Sequence, residues 1–207
     1  YVRLLDMGGD KTAGFLALPE QENPCLGYRG ARLLLGHTDL LIAQARAITR
    51  ASKHGPIHVL YPMVVDLDQF LRLREIFRQY VRDIDGGEVH HGVMFEVPSA
   101  CLSARTILEA AEFGSIGSND LIQYLFAVDR NNDLVASEYN PDRPVFWELL
   151  HNLVRAARET NRPLSLCGEL GGQPAFLPRL IEAGINRVSV TSRLIGLARI
   201  TAKRFLQ

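Results

Sequence analysis

Short apolar runs recur along the chain with helical patterns between them, and this alternation constrains the fold more than any other feature. Val2-Arg3-Leu4-Leu5, Ile57-His58-Val59-Leu60-Tyr61, Val93-Met94-Phe95, Phe113-Gly114-Ser115-Ile116, Leu164-Ser165-Leu166 and Arg187-Val188-Ser189-Val190 have the length and the aliphatic, β-branched or aromatic makeup of strands. From Asp66 onward, Leu67, Phe70, Leu71, Phe77, Val81 and Ile84 fall on one helical stripe, with Asp66 and Gln69 spaced as a capping box. A second helix is expected from Val145 to Thr160. It carries Phe146, Leu149, Leu150, Leu153 and Val154 at i, i+3, i+4 spacing, and Pro144 and Pro163 bracket it. Strands that alternate with helices pair in parallel, because each return crossover takes a dozen or more residues. The class is therefore α/β. Periodicity alone leaves open whether the sheet is doubly wound or closed into a barrel.

Composition narrows the function. The 207 residues, 47% hydrophobic and 22% charged, have the makeup of one globular domain spanning 1–207. Lys plus Arg number 23 and Asp plus Glu 23, so the net charge is zero. A general nucleic-acid or anionic-membrane binder needs a basic surface, so no such partner is expected, and any phosphate must be held locally. Cys25, Cys101 and Cys167 show no CxxC or Cys/His metal spacing. A reducing cytoplasm fits them best. The apolar stretches are too short to span a bilayer. Tyr1 opens directly in a strand-like run rather than a signal peptide, so we expect a chain cut from something longer.

The polar residues gather after the strands. Asp6-Met7-Gly8-Gly9-Asp10-Lys11, Glu96-Val97-Pro98-Ser99, Gly117-Ser118-Asn119-Asp120 and Cys167-Gly168-Glu169-Leu170-Gly171-Gly172 each follow an apolar run. In a parallel sheet such turns share one face, the usual active-site arrangement of a (β/α)₈ barrel. Six strands leave that barrel two short.

Each candidate has a plainer reading beside the functional one. Glu96 and Asp120 are two carboxylates at different strand ends, a set that suits Mg²⁺ with its preference for oxygen ligands and retained water. Equally, Glu96 could pair with an arginine and Asp120 could cap the next helix. Arg3, Arg29 and Arg130 have the planar fork that grips phosphate or carboxylate, or they form surface ion pairs. Cys167 stands where a nucleophile or proton donor would, and a thiol with an ordinary pKa of about 8.5 stays protonated at neutral pH. It could also be a small core residue. The six histidines lie at helix edges or strand starts and are assigned no chemistry.

Four blocks resemble the C-terminal domain of phosphoenolpyruvate-utilising enzymes, in that family's order. They are Gly92-Val93-Met94-Phe95-Glu96-Val97-Pro98-Ser99, Ser115 to Tyr124, Ala127-Val128-Asp129-Arg130-Asn131-Asn132 and Leu166-Cys167-Gly168-Glu169-Leu170. Arg3 to Lys11 followed by Asn23-Pro24-Cys25-Leu26-Gly27-Tyr28-Arg29 is similar to Enzyme I of the bacterial phosphotransferase system. The Asn-Pro-Cys-Leu-Gly run, Arg29-Gly30, Val97-Pro98-Ser99 and Asn131-Asn132 lean toward its nitrogen-related form.

The resemblance implies a TIM-type (β/α)₈ barrel, here without its first strands. It also implies phosphoenolpyruvate as substrate and pyruvate as product. By the same resemblance Arg3, Arg29, Asn119, Asp120 and Arg130 contact substrate, Glu96 and Asp120 hold Mg²⁺, and Cys167 is the general acid. An HPr-like phosphocarrier served by the full-length enzyme and a homodimer are further implications. No histidine lies in the Gly-Thr-Ser-His context of the family's phosphoryl acceptor, which is expected on another domain. A degenerate regulatory or dimerisation module and a Mg²⁺-dependent lyase on small oxo-acids are the competing readings.

Overall fold

The computed structural model describes residues 1–7, 18 and 20–207. The Gly8-Gly9-Asp10-Lys11 turn lies outside the described residues. The chain forms two compact units, Tyr1–Met94 and Phe95–Gln207.

In the first unit, strand β1 (Val2–Arg3) is followed by helices α1 (Gly30–Gly36) and α2 (Thr38–Ala51), then β2 (Ile57–Tyr61), α3 (Leu67–Gln79) and β3 (Val89–Phe95), whose last residue begins the second unit. All pairing is parallel: Val2 stands opposite Val59, and Ile57 to Tyr61 run beside Val89 to Val93. The core of this unit is Leu33, Leu34, Leu41, Val59, Tyr61, Phe70, Leu73 and Phe77, all essentially inaccessible. Burying each large apolar side chain contributes about 1.5–3 kcal/mol, which is what holds the helices on the sheet.

Helix α3 starts where the capping pattern requires: Asp66 accepts from the Gln69 N–H at 2.8 Å, and the Gln69 side chain returns an acceptor to the Val65 N–H at 3.0 Å. Its end corrects the sequence reading, since the helix stops at Gln79 and Val81 and Ile84 fall in the turns that follow. A helical stripe of apolar residues cannot distinguish a continuing helix from a turn that buries the same residues against its neighbours. Strand β3 is four residues longer at its start than the Val93–Phe95 run, because His90 and His91 are accommodated in the ladder opposite His58 and Val59.

In the second unit, α4 (Pro98–Leu102) and α5 (Ala104–Ala110) precede β4 (Phe113–Gly117). Then come α6 (Ser118–Phe126), α7 (Pro144–Glu159), β5 (Leu164–Cys167), α8 (Leu177–Ala183), β6 (Val188–Ser189) and α9 (Ile195–Leu206). Strands β4, β5 and β6 pair in parallel, with Gly117 opposite Cys167 and Cys167 opposite Ser189. Pro144 occupies the first turn of α7, where its missing N–H costs nothing. The stripe Phe146, Leu150 and Leu153 is fully buried, as its spacing predicts. Among the described residues no helix is long and apolar enough to cross a membrane.

Candidate functional site

In the first unit, Arg3 and Asp6 at the end of β1 converge with Arg29, which precedes α1. Arg29 directs Nε and Nη2 at the two carboxylate oxygens of Asp6, at 3.0 and 2.6 Å, while Arg3 Nη1 lies 3.6 Å from Asp6 Oδ2. Asp6 and Arg29 are 7% and 8% exposed, so this is a buried, two-pronged pair rather than a surface one. The local backbone sets it. Arg29 is extended immediately before α1, and Gly30 enters the helix at φ +51°, a region costly for any residue with a Cβ. A Cβ there would stand 2.5 Å from Met63 Cβ, so the close passage of the chain over Met63 requires glycine. Two guanidinium groups thus face one carboxylate. The Arg3 side chain is 39% exposed and supplies the outer face of the cluster.

In the second unit, α6 and β5 bring a second set together. Asp120 sits in the first turn of α6, buried, where the helix dipole favours a carboxylate. The N-cap position is taken by Gly117, so Asp120 stands further in rather than at the cap itself. Arg130 is an ionic neighbour, with Nη1 3.8 Å from Asp120 Oδ1. Arg130 reaches it because α6 ends at Ala127 in the left-handed region and the chain doubles back. The Val128 N–H then binds the Gln123 carbonyl at 2.9 Å, and the Arg130 N–H binds Gln123 Oε1 at 3.2 Å. Buried Gln123 thus pins the loop that carries Arg130.

Asn119, next to Asp120, joins α6 to the β5 turn. Its Oδ1 accepts from the Glu169 N–H at 3.1 Å, and its carbonyl accepts from the Tyr139 hydroxyl at 3.1 Å. Burial pushes the Tyr139 hydroxyl up to about 12, against the opposing pull of Arg130 and with help from Glu169 and Asp120, so it remains a donor at neutral pH.

Cys167 ends β5, half-buried. Its Sγ lies 3.4 Å from the Ile116 carbonyl, to which the thiol donates, and 3.6 Å from Ser115 Oγ, which can donate to sulfur. Its carbonyl accepts from Ser118 Oγ at 2.9 Å. The next residue, Gly168, has φ +109°; a Cβ there would stand 2.9 Å from Asn119 Oδ1 and still closer to Ser118 Oγ. Glycine is therefore what allows the Cys167 turn to lie against the start of α6.

Glu96 follows β3 directly and is 1% exposed. Its charge acts on Cys101 in α4, whose thiol is raised far above its ordinary value, first by burial and then by Glu96. Cys101 is therefore inert, as is usual for a buried cysteine. Among the described residues no group of three or more His, Cys, Asp or Glu could hold a metal ion. A cation here would have to draw on fewer protein ligands.

Of the residues singled out from the sequence, Arg3 and Arg29 meet at Asp6, while Asn119, Asp120, Arg130 and Cys167 form one network. Gln123, Tyr139, Ser115 and Ser118 were not singled out. Ser115, Ser118 and Gln123 lie inside the Ser115 to Tyr124 stretch that carries the family resemblance, but nothing in their type or spacing marks them. Tyr139 lies in a polar loop that carries no pattern.

Over residues 1–206 the chain matches the family described as PEP-utilising enzyme, PEP-binding domain. It belongs to that family. This PEP-binding domain is similar to the phosphoenolpyruvate-protein phosphotransferase of Geobacillus stearothermophilus, 38% identical over 211 residues, covering 98% of this chain and 36% of that protein. It is also similar to the multiphosphoryl transfer protein of Escherichia coli O6:H1, 39% identical over 196 residues, with 92% and 24% covered. The domain therefore spans only about a quarter to a third of the length of these relatives. A citrate lyase from Burkholderia xenovorans is a structural neighbour, with a TM-score of 0.61 at 15% identity over 79% of this chain and 52% of that one. At that identity the likeness concerns the fold. The PEP-binding domain is α/β of the (β/α)-barrel type, as its strand-end turns imply.

Proposed function

We propose that this domain is the phosphoenolpyruvate site of a phosphoenolpyruvate-protein phosphotransferase, passing the phosphoryl group toward a histidine on another domain and releasing pyruvate. The observation that carries this reading is the arrangement around α6 within a PEP-binding family. A buried carboxylate with an arginine beside it, an asparagine and a half-buried thiol are tied to one another by Gln123, Glu169 and Ser118. The relatives named phosphotransferases support it further.

The donor set fits Mg²⁺, which commonly binds through one or two carboxylates and takes its remaining ligands from substrate phosphate and water. Glu96 and Asp120 would hold it, both buried and both following strands. When bound, the ion would offset charge on the phosphoryl oxygens.

Arg3, Arg29 and Arg130 would neutralise the substrate's phosphate and carboxylate, and Asn119 would orient it. Phosphoryl transfer needs little from the protein beyond such positioning and electrostatics. As the ester P–O bond breaks and a P–N bond forms at the acceptor histidine, the enolate of pyruvate is left. Cys167 would give its thiol proton to the enolate's methylene carbon, completing pyruvate. Ser115 Oγ, 3.6 Å from the sulfur, would donate to the thiolate until it regains a proton from solvent. An HPr-like phosphocarrier, a homodimeric assembly, a cytoplasmic location and the nitrogen-related branch complete the proposal. The last rests on the Asn23 to Gly27 run and Asn131-Asn132.

Thermal unfolding with Mg²⁺ present tests this against the oxo-acid lyase reading. Phosphoenolpyruvate should raise the midpoint by several degrees and oxaloacetate by less. Protection by oxaloacetate alone would reject the phosphotransferase reading.

A further inference from the structure

The segment between α6 and α7 carries Arg130 near its start and Tyr139 near its end, and its two ends are held differently. The start hangs from α6 through Gln123. The Tyr139 end is braced against three helices. Arg143, the N-cap of α7, pairs with Glu138 and lies over the Phe126 ring of α6, 4.9 Å from its centre. On α7, Trp147 Nε1 donates to the Pro141 carbonyl at 2.8 Å. Arg179 of α8 pairs with Asp142 at 3.0 Å and lies 3.9 Å from the centre of the Trp147 ring. Exposed ion pairs are each weak, but these close on a buried tryptophan, so the brace rests on packing as well as charge.

From this brace Tyr139 reaches back to the start of α6. A phenol hydroxyl has one proton to give and lone pairs to accept with. The proton goes to the Asn119 carbonyl at 3.1 Å. Toward Arg130, its cationic neighbour and hydrogen-bond partner, the oxygen can therefore only accept. An arginine that gives one N–H to a fixed oxygen keeps its charge and its other donors but loses the freedom to swing on a long side chain. That freedom matters here, because the Arg130 side chain is 34% exposed and the entropy of such a chain opposes ordering it on a ligand.

We propose that Tyr139 is a positioning residue for Arg130. Anchored on the Asn119 carbonyl, its oxygen holds the guanidinium beside Asn119 and Asp120, so that the arginine and the Asn119 amide meet the same phosphorylated substrate. The inference rests on the phosphoenolpyruvate reading of the site. Tyr139 touches no reacting atom and acts through Arg130.

The test compares the native chain with Tyr139→Phe, which removes the oxygen and keeps the ring. Rotation about the Arg130 Nε–Cζ bond, followed by NMR without ligand, should be slow in the native chain and several times faster in the variant. Phosphoenolpyruvate affinity with Mg²⁺ present, followed by amide shifts, should fall about tenfold, the worth of a hydrogen bond to a charged group. Emission from Trp147, the single tryptophan of the chain, should stay unchanged, showing the brace intact. Unchanged rotation, or unchanged affinity, would overturn the role while native binding of phosphoenolpyruvate left the site's reading standing. A shift in Trp147 emission accompanying the loss would also overturn it, by making Tyr139 part of the brace itself. A native chain that does not bind phosphoenolpyruvate would overturn the reading of the site, and this role with it.

Discussion

The backbone N–H of Arg130 is bound by the side chain of Gln123, and this bond ties the loop arginine beside Asp120 to the helix that carries Asp120. The guanidinium is thereby kept 3.8 Å from the carboxylate, close enough for the two charges to offset each other.

Gln123→Ala should therefore act on Arg130 rather than on the core. Losing one neutral hydrogen bond costs about 1 kcal/mol of stability. Phosphoenolpyruvate affinity should fall roughly tenfold, equivalent to about 1.4 kcal/mol. Calorimetric titration beside thermal unfolding separates the two effects.

Asp6 is a carboxylate committed to its partners. Asp6→Asn leaves Arg29 buried without its counter-charge, and breaking a buried pair by removing one partner costs about 3–5 kcal/mol. Arg3→Ala removes a partly exposed contact at 3.6 Å and should cost less than about 1 kcal/mol. Urea unfolding of the two variants should show that gap.

Gly168→Ala should destabilise by more than Gly184→Ala, although both glycines have positive φ, +109° and +97°. At Gly184, where α8 ends, the nearest obstacle is the flexible tip of Arg158, so the cost is the backbone penalty of about 1 kcal/mol. At Gly168 the obstacles are Ser118 Oγ and the Asn119 side chain, both held by hydrogen bonds of their own. A loss of about 2 kcal/mol or more is expected there, measured by the midpoint of chemical unfolding.

Tyr139 gives a pH prediction. Its hydroxyl titrates near 12 in the folded protein, above the ordinary value of 10, so the folded state holds this proton more tightly than the unfolded one. The resulting stabilisation is fully present below pH 10 and is lost as pH rises from 10 to 12. Tyr139→Phe should flatten the decline in stability across that window relative to the native sequence.

Much of the fold was legible because parallel strands and crossover helices leave different periodicities, and because Pro144 and Asp66 mark helix starts by mechanisms local to the chain. The end of α3 was not: Val81 and Ile84 keep helical spacing yet fall in turns, where they line a recess with Phe77 and Val89. Glu96, Asn119, Asp120 and Cys167 stood out because strand-end turns collect polar residues in a parallel fold. Arg29 drew attention for its planar fork, but its pairing with Asp6 depends on Gly30 and Met63, far apart in sequence, and no local pattern reports it. Gln123 and Tyr139 escaped notice for the same reason, since each works through a backbone group of another segment.

The central claim, that Asp120 joins Glu96 in holding Mg²⁺ beside the substrate, is tested most directly by calorimetric titration of oxalate, a stable mimic of the pyruvate enolate, with and without Mg²⁺. Native protein should bind oxalate only when Mg²⁺ is present, and Asp120→Asn should lose that metal-dependent binding while keeping its unfolding midpoint within a few degrees. Equal oxalate binding with and without Mg²⁺, or an Asp120→Asn variant that retains the metal dependence, would contradict it.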